Sequence, residues 1–314
     1  MEPGLLKSAD WPILIDLYFF LGGIAGGAFV IATIASLTDG LRYRDVVRVG
    51  YYVALLAILP CPILLIVDLG TPSRFLNMLL AGKPSLAIGM NAVTVGPFHF
   101  KPFSPMSVGA WGLQIFSLCA FVCAAETWLA DTRGRRFPHV RLVAGLIGGL
   151  AGFFLAAYPG VLLGATARPL FISAHWLGAL FLAVGAATGG AAIALALAWM
   201  KGPAADDVLD RVMRIIAIAL VTEVAALVLF VVSVRSSGSA GINAALEPLV
   251  SGRYSVPFWL GAVLLGTVLP LLLQFGVVGR AISRRAAITA ALVLVGGFLV
   301  KFALIGAGQS NGVG

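Results

Sequence analysis

The chain has 314 residues, of which 60% are hydrophobic and 11% are charged, whereas roughly 25% of the residues in a soluble domain are charged. The net charge is +8, but the basic residues lie in short connections between apolar segments. They do not form one basic face interleaved with aromatic residues, which excludes a typical nucleic-acid-binding domain. The composition predicts an integral membrane protein.

Eight apolar segments are long enough to cross a membrane as helices, which requires about 20 residues each. We predict them at approximately 12–37, 46–69, 105–130, 141–163, 172–200, 208–235, 256–278 and 284–306. Thirteen Lys and Arg residues lie in the first, third, fifth and seventh connections, and seven lie on the side of the termini. Because cytoplasmic loops are enriched in basic residues, both termini are predicted to be extracytoplasmic.

The first predicted helix carries one acid and a glycine-rich segment. Asp16 lies about one turn inside the outer end, where a carboxylate is costly and often functional. A solvated acid at the helix start is the alternative interpretation. Residues 21–27 (LGGIAGG) contain two overlapping pairs of small residues, a spacing that lets a neighbouring helix approach closely. Helix packing is the predicted role of these glycines.

The second predicted helix ends at an acid that is followed by a base. Gly70 and Pro72 stop the helix, which leaves Asp68 just inside the bilayer edge and Arg74 just beyond it. Charged groups at this depth are usually paired and usually mark a ligand or proton site. The alternative is an interfacial ion pair that only anchors the helix end.

The next connection, residues 70–104, is unusually long, and loops of this length are generally functional or contain further structure. It is a candidate docking surface for a soluble partner. At its end, Ser104 before Pro105 predicts a helix N-cap with proline at the first helical position.

Polar groups converge on the outer side of the predicted topology. This convergence is the strongest indication of a site, because unrelated anchors would divide between the two sides. The residues that fall at the outer edge are Asp16, Asp68, Arg74, Tyr158, Arg168 and His175.

Three further ionisable residues lie within predicted helices: Glu126, Glu223 and Lys301. They are candidates for a proton route from the cytoplasm toward the outer site. The alternative is structural pairing, of Glu126 with Arg133 or Arg136 and of Glu223 with Lys301.

The histidines and cysteines of the sequence limit the classes of ligand that the protein could bind. The three histidines cannot supply axial pairs on facing helices for a b-type haem, and the three cysteines lie within apolar helices without iron–sulfur or zinc spacing. We therefore expect no haem, no iron–sulfur cluster and no metal in this chain. A lipid-soluble ligand with two carbonyl or hydroxyl oxygens would suit a tyrosine and a carboxylate beside an apolar wall.

Three motifs resemble the NrfD/PsrC-type membrane subunits of polysulfide reductase and related respiratory complexes. They are residues 68–75 (DLGTPSRF), 104–111 (SPMSVGAW) and 158–164 (YPGVLLG) followed by Arg168 and Pro169. The resemblance extends over nearly the whole chain and includes the helix count. It departs from the polysulfide reductase pattern because the first helix has no histidine, so the acceptor of the second quinol proton is open.

The resemblance implies an all-α membrane protein with two four-helix bundles, residues 1–168 and 169–314. It also implies a menaquinone or ubiquinone site near the outer surface of the first bundle. Tyr158 matches a quinone-contacting tyrosine, and Asp16 falls where the family carries polar quinone contacts. We expect Asp16 and Tyr158 to be catalytic. The residues expected to hold or border the quinone are Asp68, Arg74, Arg168, His175 and Trp111.

The resemblance further implies partners and a location. An iron–sulfur subunit, ferredoxin-like and with several clusters, would dock on the outer face and connect to a separate catalytic subunit of the molybdopterin type. The membrane would be the cytoplasmic membrane of a bacterium or archaeon. Two alternatives are a secondary transporter and a purely structural anchor without quinone chemistry. The first is disfavoured because the polar groups gather at one rim and no internal repeat is found.

Overall fold

The computed structural model describes residues 11–80, 93–95, 98–166, 168–172, 174–200, 203–236, 240–275 and 282–310. Over these residues the protein is almost entirely helical, with one small two-stranded sheet. The helices and strands, in order along the sequence, are α1 (Ile13–Asp39), α2 (Arg44–Ile58), α3 (Pro60–Asp68), a 3-10 helix (Pro72–Met78), β1 (Val93–Val95), β2 (Phe98–Phe100), α4 (Pro105–Arg133), α5 (Pro138–Gly164), α6 (Pro169–Ile172), α7 (Leu177–Trp199), α8 (Pro203–Arg235), α9 (Ala240–Ala244), α10 (Glu247–Val250), a π-helix (Pro257–Val268), α11 (Leu269–Phe275) and α12 (Ile282–Ser310).

In the described part of the protein, eight helical stretches are long and apolar enough to cross a membrane. Each overlaps one of the predicted segments, so the prediction of an eight-span helical membrane protein is confirmed. The second span consists of α2 and α3, because Pro60 has no N–H to continue the hydrogen-bond ladder. The seventh span begins as the π-helix and continues as α11.

The spans of each half pack mainly on one another. In the first half, α1 contacts α2 and α5, and α4 contacts α2 and α5. In the second half, α7 contacts α8 and α12, and α12 contacts the π-helix. The two halves meet mainly where α7 packs on α1, α5 and α2. These contacts are compatible with two four-helix bundles divided near residue 168, and that division stays a prediction.

The crossing of α1 with its neighbours depends on glycine. A Cβ atom on Gly27 would collide with the carbonyl group of Gly185 in α7. A Cβ atom on Gly26 would likewise collide with the carbonyl group of Gly152 in α5. The predicted packing role of residues 21–27 is therefore confirmed.

The connection between α3 and α4 contains further structure, as its length predicts. Gly70 ends α3 with φ 67°, a left-handed conformation that favours glycine. β1 and β2 pair antiparallel, with Val93 opposite Phe100. The ring of Phe98 contacts the ring of Trp111 at 5.9 Å between centroids. This contact holds the hairpin against the start of α4.

The start of α4 has the predicted cap. The Ser104 hydroxyl oxygen accepts a hydrogen bond from the Ser107 amide at 3.4 Å, and Pro105 is the first helical residue. This arrangement satisfies one of the otherwise unpaired N–H groups of the first turn.

Candidate functional site

A cavity of about 250 Å³ lies between α1, α3, α4 and α5, at the ends of these helices that the distribution of basic residues predicts to be extracytoplasmic; outer and inner are used below in this predicted sense. We call it the outer cavity. Most of its wall is aliphatic or aromatic, formed by side chains such as Ile15, Phe19, Leu65 and Leu113. A mostly apolar wall with a few polar groups is typical of small-molecule sites. The oxygen-bearing side chains that line it are Tyr18, Asp68, Gln114 and Tyr158.

Tyr158 is held firmly in the wall of the outer cavity. Its side chain is buried, and its hydroxyl donates a hydrogen bond to the Pro105 carbonyl at 2.8 Å. Its ring packs on Phe154, and Gly109 provides the space for it, since a Cβ atom there would collide with the phenol. A hydroxyl has one hydrogen and two lone pairs. Tyr158 can therefore still accept a hydrogen bond from a ligand.

Asp68 is the last residue of α3 and lines the outer cavity. It forms no ion pair with Arg74 or with any other described residue. Arg74 lies on the 3-10 helix with an exposed side chain and does not line the cavity. The alternative of an interfacial ion pair between these two residues is therefore wrong. Gly70, in the left-handed conformation, turns the backbone between them.

Asp16 is buried but does not line the outer cavity, whereas its neighbours Ile15 and Tyr18 do. Successive residues of an α-helix are rotated by about 100°. Asp16 is therefore turned away from the cavity, toward the side on which Phe20 contacts Phe298 of α12. Its Oδ1 atom has no hydrogen-bond partner among the described residues. The structure thus places Asp16 behind the wall that Tyr158 lines, and not in it.

The other three predicted ligand contacts also lie outside the lining of the outer cavity. Arg168 is buried and donates to the Gly308 carbonyl at 3.2 Å, near the end of α12, where carbonyl groups lack helical partners. His175 is exposed, and its Nδ1 lies 3.4 Å from the Ser233 hydroxyl. Trp111 packs on Phe98 of the hairpin. Among the predicted site residues, the structure brings together Tyr158 and Asp68.

Sequence reasoning missed three groups in the wall: Trp11, Tyr18 and Gln114. Helical spacing contains the signal that identifies one of them. Ile15 and Tyr18 are three residues apart, so they share one face of α1, whereas Trp11 lies before the helix begins. Asp16 belongs to a different face.

Glu126 forms a structural pair at the inner end of α4. Its Oε1 accepts a hydrogen bond from the Phe137 amide at 3.1 Å, and its Oε2 lies 3.5 Å from Arg141 Nη1. The expected pairing of Glu126 with Arg133 or Arg136 is therefore wrong. Both are exposed, because the backbone turns back at the end of α4 and brings Phe137 and Arg141 to the buried carboxylate.

Glu223 and Lys301 are buried in the second half and form no ion pair, so their predicted direct pairing is wrong. The Glu223 carboxylate accepts a hydrogen bond from Thr267 at 3.3 Å. The Lys301 ammonium donates to the Phe19 carbonyl and lies 5.4 Å from the ring centroid of Phe181. The lysine therefore reaches across to α1, directly behind a residue that lines the outer cavity.

Among the described residues, no group of three or more His, Cys, Asp or Glu side chains is arranged to hold a metal ion. The fold and the outer cavity define a multi-pass helical membrane protein with a small, mostly apolar site beside one membrane surface. Within that class, the chain belongs to the polysulphide reductase NrfD family, whose model matches residues 2–312.

Three similar proteins match nearly the whole sequence. The NrfD homolog of Haemophilus influenzae is 26% identical over 323 residues, covering 95% of this protein and 94% of its own length. NrfD of Escherichia coli is 26% identical over 330 residues, covering 96% and 94%. The C subunit of polysulfide reductase from Wolinella succinogenes is 24% identical over 313 residues, covering 96% and 94%. The resemblance inferred from the motifs is confirmed, and the protein is related to membrane subunits of oxidoreductase complexes.

Proposed function

We propose that the protein is the quinone-reactive membrane subunit of a respiratory oxidoreductase complex in a prokaryotic cytoplasmic membrane. In this role it exchanges electrons between the menaquinone or ubiquinone pool and an iron–sulfur partner. The observation that carries the proposal is the outer cavity, where a buried tyrosine hydroxyl and a carboxylate meet an apolar wall. Membership of the polysulphide reductase NrfD family adds support.

The residues of the outer cavity fit a quinone headgroup. The Tyr158 hydroxyl can accept a hydrogen bond from a ring hydroxyl, and the Gln114 amide can donate or accept one. Met106 and Phe75 also line the cavity and are 64% and 40% exposed. They mark an opening through which an isoprenoid tail can extend along apolar surface.

Quinol oxidation releases protons together with electrons, so the site needs groups that accept protons. Asp68 lies in the wall at the end of α3, where it can pass a proton to the outer water. Asp16 lies behind the wall with an unpartnered buried oxygen. We propose that it takes up a proton relayed from the cavity and does not bind the ring directly.

The connection of residues 70–104, between α3 and α4, is the proposed docking surface for the iron–sulfur subunit. Phe75 and Leu79 of this connection line the cavity, and the hairpin of β1 and β2 is fixed on α4 beside it. A partner seated here would lie next to the bound headgroup and could receive its electrons directly. A separate catalytic subunit would then accept them from the partner.

A proton route is the finer part of the proposal. Lys301 bonds to the backbone of Phe19, a residue of the cavity wall, and Glu223 interacts electrostatically with Lys301. Glu126 lies near the inner end of α4 and would be the point at which protons enter the route. If these groups carry protons from the inner side, the redox step is electrogenic.

Tyr158→Phe tests the proposal, with Tyr51→Phe as the matched control. Both tyrosines are buried, but Tyr51 bonds to Thr33 and does not line the outer cavity. Loss of one hydrogen bond should weaken binding of a fluorescent hydroxyquinoline N-oxide, a quinone-headgroup analogue, roughly tenfold. Quinone-linked turnover in native membranes should fall at least as much, while the complex still co-purifies.

Normal analogue binding and turnover in Tyr158→Phe, with Tyr51→Phe also normal, would remove the basis of the proposal. A structural anchor predicts no specific analogue binding by the wild-type complex. A transporter predicts solute flux that is independent of Tyr158. Analogue binding and turnover, together with a solute-flux assay in proteoliposomes, therefore separate all three functions.

A further inference from the structure

A second cavity, of about 560 Å³, lies at the opposite end of the molecule between α1, α2 and α8. We call it the inner groove. Aliphatic side chains form its deeper wall, among them Ile31, Ile34, Val212 and Ile215. Ile34 is 57% exposed and Ile215 is 41% exposed. The groove therefore opens sideways, onto the surface that faces lipid.

The charged groups of the inner groove gather toward one end. α1 reaches the polar end at Thr38, and α8 passes it at Asp207. Ile31 and Ile215 lie seven and eight residues from these positions, which corresponds to about 10–12 Å along a helix. A charged end above an apolar channel matches the layout of a membrane lipid, whose headgroup lies at the interface and whose acyl chains extend inward.

Two arginines at the polar end use only some of their guanidinium N–H donors in contacts with other residues of the protein. Arg42 lies 2.9 Å from an Asp207 carboxylate oxygen. Arg211 lies 3.5 Å from the same carboxylate and donates to the Tyr43 hydroxyl at 3.0 Å. The side chains of Arg42 and Arg211 are 49% and 44% exposed. Since a guanidinium has five N–H donors, both arginines retain donors for an anion.

A third arginine lies one turn further along α8. Arg214 precedes Ile215 of the apolar wall, but its guanidinium turns back toward the polar end, where it donates to Asp210 at 2.7 Å. Its side chain is 76% exposed. The polar end therefore combines three guanidinium groups with two carboxylates. The excess of fork-shaped donors suits a phosphate group. The carboxylates, which are also partly exposed, suit an amino headgroup.

We propose that the inner groove binds one phospholipid of the adjacent leaflet. Arg42, Arg211 and Arg214 hold its phosphodiester, and an acyl chain lies against Ile34 and Ile215. A quinone ring is a poorer match because it offers no anionic group to the arginines. The bound lipid bridges the first half of the protein, through α1 and α2, to α8 of the second half.

Native mass spectrometry of the complex, purified in mild detergent, tests this site with phosphatidylethanolamine, phosphatidylglycerol or diacylglycerol added separately. Either phospholipid should bind to the wild-type complex, and diacylglycerol should not. The double substitution Arg211→Gln and Arg214→Gln should lower phospholipid affinity by roughly tenfold or more, because charged hydrogen bonds are lost. Arg133→Gln is the control, since Arg133 is an exposed arginine at the same end outside the groove.

Ile215→Trp tests the apolar wall without changing any charge, because Ile215 lines the groove and is 41% exposed, and it should lower occupancy by a similar factor. Recovery of the complex at the wild-type yield, with an unchanged thermal unfolding midpoint in detergent, shows that each variant is folded. If the double variant is not recovered, the result of Ile215→Trp decides between the outcomes. Wild-type occupancy in Ile215→Trp, equal binding of diacylglycerol, or preferential binding of ubiquinone would each overturn the proposal.

Discussion

The two ends of the molecule use charge differently. The six ion pairs that join described residues all lie at the inner end and engage Asp131, Asp207, Asp210 and Glu126. At the outer end, neither Asp16 nor Asp68 forms an ion pair with a described residue. Asp131 alone meets two arginines, Arg44 at 2.8 Å and Arg48 at 3.0 Å.

This difference separates carboxylates that pair with arginines from the carboxylates that the proposed function uses as proton acceptors. An acid held between two guanidinium groups, such as Asp131, ties helices together through its ion pairs. An acid beside an apolar cavity has no such partner and can exchange a proton with a ligand. Substitutions of both kinds of acid test this division, and Asp16 should give the largest effect.

Asp16→Asn should lower quinone-linked turnover in native membranes roughly 100-fold, because general acid–base groups contribute factors of this size. The affinity for the hydroxyquinoline N-oxide should change little, because Asp16 does not line the outer cavity. Asp131→Asn, which removes a paired acid at the inner end, is the control and should retain normal turnover. Normal turnover in Asp16→Asn would contradict its proton-accepting role, and a large loss of affinity would indicate direct contact with the ring.

Glu223→Gln should reduce proton uptake from the inner side at least roughly threefold, as one proton-carrying group of the proposed route is lost. A pH-sensitive dye in proteoliposomes containing the complex measures this uptake alongside quinone turnover. Glu126→Gln should have a smaller effect, because Arg141 and the Phe137 amide already hold that carboxylate. Proton uptake that matches the wild type in both variants would argue against a route through these residues.

The sequence is sufficient for features that depend on local chemistry. The spans follow from apolar length, the cap of α4 from Ser104 and Pro105, and the close helix crossing from the glycines of residues 21–27. The face of α1 that meets the cavity does not follow in this way. This helix is apolar on almost every side, so no amphipathic pattern fixes its rotation. Asp16 could not be assigned to the wall or to the space behind it from sequence alone.

The partner of Glu126 was also beyond sequence reasoning, for a different physical reason. α4 ends at Gly134, which has φ 66°, and this left-handed residue reverses the backbone. The reversal leaves Arg133 and Arg136 outside and returns Arg141 to the carboxylate. Sequence spacing within one helix cannot predict a contact made across such a turn.

Asp131→Asn and Asp68→Asn form a matched pair with opposite expected readouts. Asp131→Asn weakens two ion pairs between α2 and α4, but both arginines are about half exposed, so solvent screening limits the loss to about 1–2 kcal/mol. Its thermal unfolding midpoint in detergent should fall by a few degrees, with quinone turnover retained. Asp68→Asn removes an acid without an ion pair, so its midpoint should match the wild type while turnover falls. Equal midpoints in the two variants would mean that the paired acids at the inner end stabilise the fold no more than the outer ones.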